Sequence, residues 1–473
     1  MTDRDPAHDD EATGDILAVD VGTSALKLGV FGSDLALRRG AQRSYEPHLY
    51  GQGWADVDPG VWWRALRACC AEVAGALSGV RVIALSVTTP GLTPMSDDGT
   101  PLAPAVLFLD GRSREQAAAI RQAVGEETFL RETCNLPVSG GSSLASILWF
   151  RDCRREVWDR AAIFGHCNTY MVRRLTGRWA IDPSTTSITG LYNTSRDDLT
   201  WNARVLEAAG IARDRLPPLR RSHEAVGTIL PGVAAEIGVP PDAAVLCGGN
   251  DAVLAALSGG LTAPGDVNII SGTCDIANVC TDHPVSSSAF NVRCHVIPGR
   301  WLTFFVLNAG GEGLEWFRRV TCPEMDGDTF YGSYVPRVLE AFLHDPDRDA
   351  RERGLPSYVP HLGGSRYSLE RCTASFAGLT LETTRDDLLL GVIRGNFTYL
   401  GAHLEEVARL LPLSGRAGIS GGAAGIHGML EARRRWTGDL AYEFRDQSSL
   451  LGAAMLGRMH LWGAVAPGVP PLQ

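Results

Sequence analysis

The strongest constraint on the fold is a pattern that occurs twice. ILAVDVGTSALKLGVF at 16–31 and IISGTCDIANV at 269–279 each run as an apolar strand, a Gly-Thr turn and a second strand alternating apolar and small residues. That is how a β-hairpin reads. Two such hairpins, one opening each half of a chain, imply a duplicated domain. The intervening sequence agrees. VRVIALSV (80–87), AVLFLDGR (105–112) and AAVLCGGND (243–251) read as strands, with helical PGVWWRALRACCAEVAGAL and LASILWFRDCRREVWDRA between them. In the second half DDLLLGVIRGNFTYLGAHLEEVARLL reads as a long helix, GRAGISGG as strand and turn, and IHGMLEARRRWTG as a helix closed by glycine. The chain is therefore expected to be α/β, with a cleft between two related lobes at 15–257 and 258–460. Residues 1–14 and 461–473 are expected to be tails, the first for lack of apolar periodicity and the last for its proline-rich APGVPPLQ.

Bulk properties narrow the function. The 473 residues carry a net charge of -10, which argues against a nucleic-acid surface. No apolar run reaches membrane-spanning length and the N-terminus lacks a signal-peptide pattern, so the expected compartment is the cytoplasm. The eleven cysteines contain no CxxC pair and read as buried free thiols rather than disulfides or a zinc site. Lys27 is the only lysine in a chain that otherwise uses arginine. A compact ammonium within a Gly-Thr hairpin suits neutralisation of phosphate charge.

A strand ending in Asp20, followed by Gly22, Thr23 and Ser24, offers backbone N–H groups and hydroxyls to phosphate oxygens and a carboxylate to a magnesium ion or its waters. The second copy, Gly272 and Thr273, offers the same. GGNDA at 248–252 ends an apolar strand, so Asn250 and Asp251 stand at a strand's carboxyl end, where α/β sheets place reacting groups. Asp251 suits a base that takes a hydroxyl proton in phosphoryl transfer, and equally a cap on the helix that follows. Gly421 and Gly422 in SGGAAG suit close approach to a nucleotide, and equally a tight strand-to-helix turn.

Together these residues resemble the FGGY family of carbohydrate kinases, of the actin, hexokinase and sugar-kinase superfamily. DVGTSALK, GWADVDPGVWW, FLDGR, SSLASILWF, LTGRWAIDPSTTS, GGNDA, the SGT turn, GGEGLEW, PHLGGSR, FAGL, SGGAAG and LLGAAMLG come in the family's order over most of the chain. The resemblance implies an actin-like ATPase (ribonuclease H-like) fold and transfer of the γ-phosphoryl group of MgATP to a sugar or polyol hydroxyl. It implies Asp251 as base, Asp20 near Mg2+, and Gly311 and Glu315 beside the nucleotide. The substrate side falls to Thr88, Thr89, Phe108, Asp110, Asn250 and Asp251. Partners would be a small-molecule sugar, no nucleic acid and no membrane, with a homodimer allowed.

The departures concern mainly the acceptor. Thr88, Thr89 and Pro90 stand where xylulose kinases have Gln-Met-His, and Phe108 stands where the family has tryptophan. Gly141 and Ala252 replace a tyrosine and a glutamine of glycerol kinases, so glycerol is disfavoured. Ser146 replaces a lysine, SRYS at 365–368 replaces a Glu-Arg-x-Pro pattern, and Ile426 and Glu431 stand where amides are usual near adenine. A xylulose-like ketose leads, with ribulose, polyols and aldonic acids as alternatives. A sugar sensor of the same fold would be expected to lose Asp20 or Asp251, and both are present. An ATPase with no acceptor is a weaker reading, since GGNDA after a strand makes most sense with an acceptor alcohol to deprotonate. A dinucleotide oxidoreductase would need an acid placed for ribose.

Overall fold

The structure, a computed structural model, describes residues 14–51 and 53–463. Its contacts divide them into two compact units. One comprises residues up to 258 together with 292–300 and residues from 447; the other comprises 259–291 and 301–446.

The first unit is built on β1 (Asp15–Val21), β2 (Ala25–Phe31), β3 (Leu37–Ser44), β4 (Val80–Val87), β5 (Ala244–Leu246) and β6 (Gly249–Asn250). The sheet runs β5-β4-β1-β2-β3, and β6 also pairs with β4. β1 is antiparallel to β2 and parallel to β4, and β5 and β6 are parallel to β4. β1 and β4 are buried along almost their whole length, which is why both read as continuous apolar runs rather than alternating ones. β6 leads directly into α1 (Asp251–Ser258).

The second unit repeats this order. β7 (Val267–Ser271) and β8 (Asp275–Thr281) form the second hairpin, followed by β9 (Trp301–Leu307), α2 (Gly311–Thr321), the long α3 (Arg385–Ala408), β10 (Arg416–Ser420), α4 (Met429–Trp436) and β11 (Ala441–Phe444). Its strands run β9-β8-β7-β10-β11, with β7 antiparallel to β8 and parallel to β10. The two hairpins share even their loop length, Gly22-Thr23-Ser24 in one and Gly272-Thr273-Cys274 in the other.

Several sequence expectations need correction. The segment 105–112 is a strand only over Ala105–Leu107 and then turns, Asp110 N–H donating to the Leu107 carbonyl at 3.0 Å. The strand at 243–251 breaks at Gly248, whose φ of +80° no β-branched residue would tolerate; a Cβ there would meet the Leu85 backbone at 2.7 Å. That kink lets β6 resume on β4 beside Ser86 and Val87. The helix expected over 144–161 is two, Ser143–Cys153 and Arg155–Arg160.

The junction between units falls at Ser258/Gly259, but neither unit is one continuous stretch. The chain returns to the first unit through α5 (Ser449–Trp462), which runs into residues expected as a tail. Small residues make that return possible: a Cβ on Gly452 would lie 2.1 Å from the Leu254 carbonyl, and one on Gly457 would lie 2.5 Å from the Ile16 side chain. The remaining residues expected as tails, 1–13 and 464–473, lie outside the described residues. No helix among the described residues is long and apolar enough to cross a membrane, and the described cysteines are free thiols, most of them buried.

Candidate active site

The carboxyl ends of β1, β4 and β6 lie side by side and carry the residues expected to do chemistry. Asp20 pairs with Ser86 across the β1/β4 ladder, and Asn250 pairs with Val87 across β4/β6. Asp251 follows immediately, so the two aspartates flank the end of β4. Adjacent strands are about 4.8 Å apart, which puts their backbones roughly 10 Å from each other. Ser86 Oγ donates to Asp20 Oδ1 at 2.6 Å.

Asp251 is not the helix cap. Asn250 takes that role, its Oδ1 accepting from Val253 N–H at 3.1 Å. Asp251 is the first helical residue, and its Oδ1 accepts from Ala252 N–H at 2.7 Å and from Asn250 Nδ2 at 3.1 Å. Burial and, second, the Asp20 charge push its carboxyl up to about 7, while Arg293 pulls the other way. Arg293 comes from the 292–300 segment and donates through Nη1 to Asn250 Oδ1. A carboxyl poised near neutrality at a strand end suits a general base.

The first Gly-Thr turn sits at the head of the same strands. Gly22 N–H donates to the Ala25 carbonyl at 2.9 Å, and Tyr45 OH braces the Gly22 carbonyl at 2.6 Å. Thr23 and Thr88 share a hydrogen bond between hydroxyls at 3.1 Å, tying the turn to the residue after β4. Ser24 is exposed, as is Lys27, which stands opposite Asp20 in the β1/β2 register. Thr89 is buried, its hydroxyl on the Val87 carbonyl, and Phe108 is half-buried in the turn after Ala105–Leu107.

Asp110 has both oxygens filled by protein donors. Oδ2 accepts from Ala55 N–H at 2.6 Å, and both oxygens accept from Arg112 Nε at 2.9 Å. Arg112 also pairs with Asp56 at 2.9 Å and lies over the Trp54 ring, so Asp110 fixes a buried guanidinium.

In the second unit, the turn at Gly272 and Thr273 meets two glycine-opened segments backbone to backbone. Gly311 N–H donates to the Gly272 carbonyl at 2.9 Å, and a Cβ on Gly311 would lie 2.4 Å from that oxygen. A Cβ on Gly421, which has φ +97°, would lie 2.1 Å from the Ser271 carbonyl, whereas Gly422 faces open space. Glu315 is engaged within the second unit, accepting from Arg318 Nη2 of its own helix at 2.6 Å and from Tyr331 OH of a later segment at 2.9 Å.

Behind the turn, Arg433 is almost fully buried on α4, donating to Ser271 Oγ, paired with Asp275 at 3.5 Å and lying over the Phe397 ring. Arg433, Asp275, Asn396 and Phe397 line a small cavity of about 10 Å³. Arg433 Nε and Nη1, Asp275 Oδ1 and Asn396 Oδ1 are buried there without protein partners. Among the described residues, no group of three or more His, Cys, Asp or Glu is arranged to hold a metal by itself.

Sequence reasoning missed Arg293, Arg433 and Asp275. Arg433 lies in the RRR run of the helix IHGMLEARRRWTG, where nothing local tells which arginine turns inward, and nothing local marks Arg293 as adjacent to Asn250.

The family model for the FGGY family of carbohydrate kinases, N-terminal domain, matches residues 16–258. A xylulose kinase of Staphylococcus xylosus is 23% identical over 451 residues, covering 94% of this chain and 90% of that protein. A gluconokinase of Bacillus subtilis is 23% identical over 396 residues, covering 81% and 75%. The crystal structure of a xyloylose kinase from Brucella ovis superimposes with a TM-score of 0.84 at 23% identity, covering 96% of this chain and 92% of that one.

Proposed function

Because this chain belongs to the FGGY family of carbohydrate kinases, we propose that it transfers the γ-phosphoryl group of ATP to a hydroxyl of a sugar, with a xylulose-like ketose as the leading acceptor. The observation that carries this reading is Asp251, a partly buried carboxyl at the carboxyl end of the sheet, held by Asn250 and raised in proton affinity by burial and by the charge of Asp20.

In this mechanism Asp251 accepts the proton of the acceptor hydroxyl as its oxygen bonds to the γ-phosphorus and the bond to the ADP oxygen breaks. Asn250 holds the base in line through its Nδ2. Gly22, Thr23, Ser24 and Lys27 of the first unit, and Gly272 and Thr273 of the second, are the phosphate-binding turns. Gly311, Glu315, Gly421 and Gly422 border the nucleotide. For ATP the second unit offers the Gly272-Thr273 turn and, next to it, Gly422, which faces open space. Mg2+ fits Asp20, where one carboxylate suffices for an ion that keeps phosphate oxygens and waters as its other ligands; when bound, it would neutralise charge on the transferring group. Thr88, Thr89, Phe108 and Asn250 face the acceptor, and Asp110 acts through the Arg112 it fixes. The compartment proposed for the reaction is the cytoplasm, where MgATP is abundant.

Support for a ketose comes from relatives described as xylulose kinases. One observation favours a second reading: Arg293 brings a cation to Asn250, which suits an acceptor bearing a carboxylate, an aldonic acid, as in the relative described as a gluconokinase. Incubation with MgATP and each candidate acceptor, read by mass spectrometry, tests the proposal. A phosphorylated sugar supports it, and ATP hydrolysis with every acceptor unmodified refutes it.

A further inference from the structure

Asp182-Pro183-Ser184-Thr185-Thr186-Ser187 is polar at five of six positions, yet each of these residues is buried. Burying so many polar groups is costly unless each finds a partner, and where these partners lie is informative. Asp182 Oδ2 accepts from the Ser184 amide at 2.8 Å, the Thr185 amide at 3.2 Å, Ser222 Oγ at 3.0 Å and the Ser184 hydroxyl; Oδ1 accepts from Asn168 Nδ2 at 3.0 Å. With its single proton committed to Asp182, Ser184 Oγ presents lone pairs to Asn250, whose amide N–H donates to it at 2.9 Å. Ser187 works the same way, donating to the Pro183 carbonyl at 2.6 Å and accepting from the Cys294 amide at 2.8 Å. One segment thus grips the residue before Asp251 and the residue after Arg293, and Arg293 in turn holds Asn250.

We propose that Asp182, Ser184 and Ser187 are positioning residues for phosphoryl transfer, fixing Asn250 and Arg293 and through them the direction of the Asp251 carboxylate. The inference rests on the kinase reading above. It assigns a task to a buried polar run that the reaction itself does not touch.

Ser184→Ala removes the acceptor for Asn250 N–H, and Ser184→Thr keeps it. Loss of alignment falls on the chemical step, because small misplacements of reacting groups cost orders of magnitude in rate. In Ser184→Ala, kcat is expected to fall at least about tenfold, with KM for acceptor and for MgATP each within about threefold of the parent. The acid limb of the pH–rate profile should move to lower pH as Asp251 relaxes toward solvent, and Ser184→Thr should restore both. If Ser184→Ala does not fold, Ser184→Cys, nearly isosteric but a weak acceptor, carries the same test. A kcat within twofold of the parent and an unmoved acid limb overturn the proposal, whatever happens to thermal stability. A parent that phosphorylates sugar while these variants are indifferent sinks this inference alone; a parent that phosphorylates nothing sinks the kinase reading and this with it.

Discussion

Asp20 and Asp251 stand on either side of β4, one opposite Ser86 and the other just past the residue opposite Val87, and the charge on Asp20 raises the proton affinity of Asp251. The arrangement separates two tasks. The carboxylate with a serine donor is suited to a cation, and the one whose proton affinity is raised is suited to a proton.

The first consequence is a pH profile. Asp251 must be deprotonated to act as base, so kcat/KM should rise with pH through about 7 and level off above it. Removing a like charge should lower that midpoint, so Asp20→Asn is expected to move the acid limb to lower pH while raising KM for MgATP. Removing the nearby cation should do the reverse, with Arg293→Met moving the limb upward. Profiles in which both variants shift the same way would contradict the electrostatic account.

A second consequence concerns stability. A carboxyl whose proton is held more tightly in the folded than in the unfolded chain is neutral in both below about pH 4. Between pH 4 and 7 the unfolded chain gives up the proton first, so folded-state stability falls as pH rises. Asp251→Asn escapes this penalty, which is at most about 4 kcal/mol at pH 8 for a shift to about 7. Thermal melts should show the variant more stable than the parent at pH 8 and the difference vanishing near pH 4.

The Arg433–Asp275 pair supplies a third test, confined to the second unit. Burial raises the Asp275 proton affinity, and Arg433 is the largest influence opposing it. Replacing Arg433 with Met leaves a buried carboxylate without its cation and should cost roughly 3 to 5 kcal/mol in denaturant unfolding. Replacing Asp275 with Leu as well should recover most of that loss. A double variant no better than the single would mean that the pair is not the source of the cost.

Much of this was legible in the sequence, for a physical reason: hairpins, buried strands and strand-end aspartates are written locally. Gly22-Thr23 and Gly272-Thr273 announce two turns of one kind, and GGNDA announces a carboxylate at a strand end. Spatial convergence is not written locally. Arg293 reaches Asn250 only because the 292–300 segment packs with the first unit, and Ser184 meets Asn250 across 66 positions of sequence. Gly248 looked like part of a strand because its neighbours are apolar, and only its contact with the Leu85 backbone shows the kink. The return of α5 depends on Gly452 and Gly457, small residues whose partners lie far upstream.

The most direct test of the central claim is acceptor-stimulated ADP release from MgATP by the parent and by Asp251→Asn, across ketoses, polyols and aldonic acids. The account predicts that at least one acceptor raises turnover well above the water background in the parent. It also predicts that Asp251→Asn, still binding that acceptor, lowers kcat by at least about a hundredfold. Turnover in the variant equal to that of the parent would remove Asp251 from the chemistry and contradict the account.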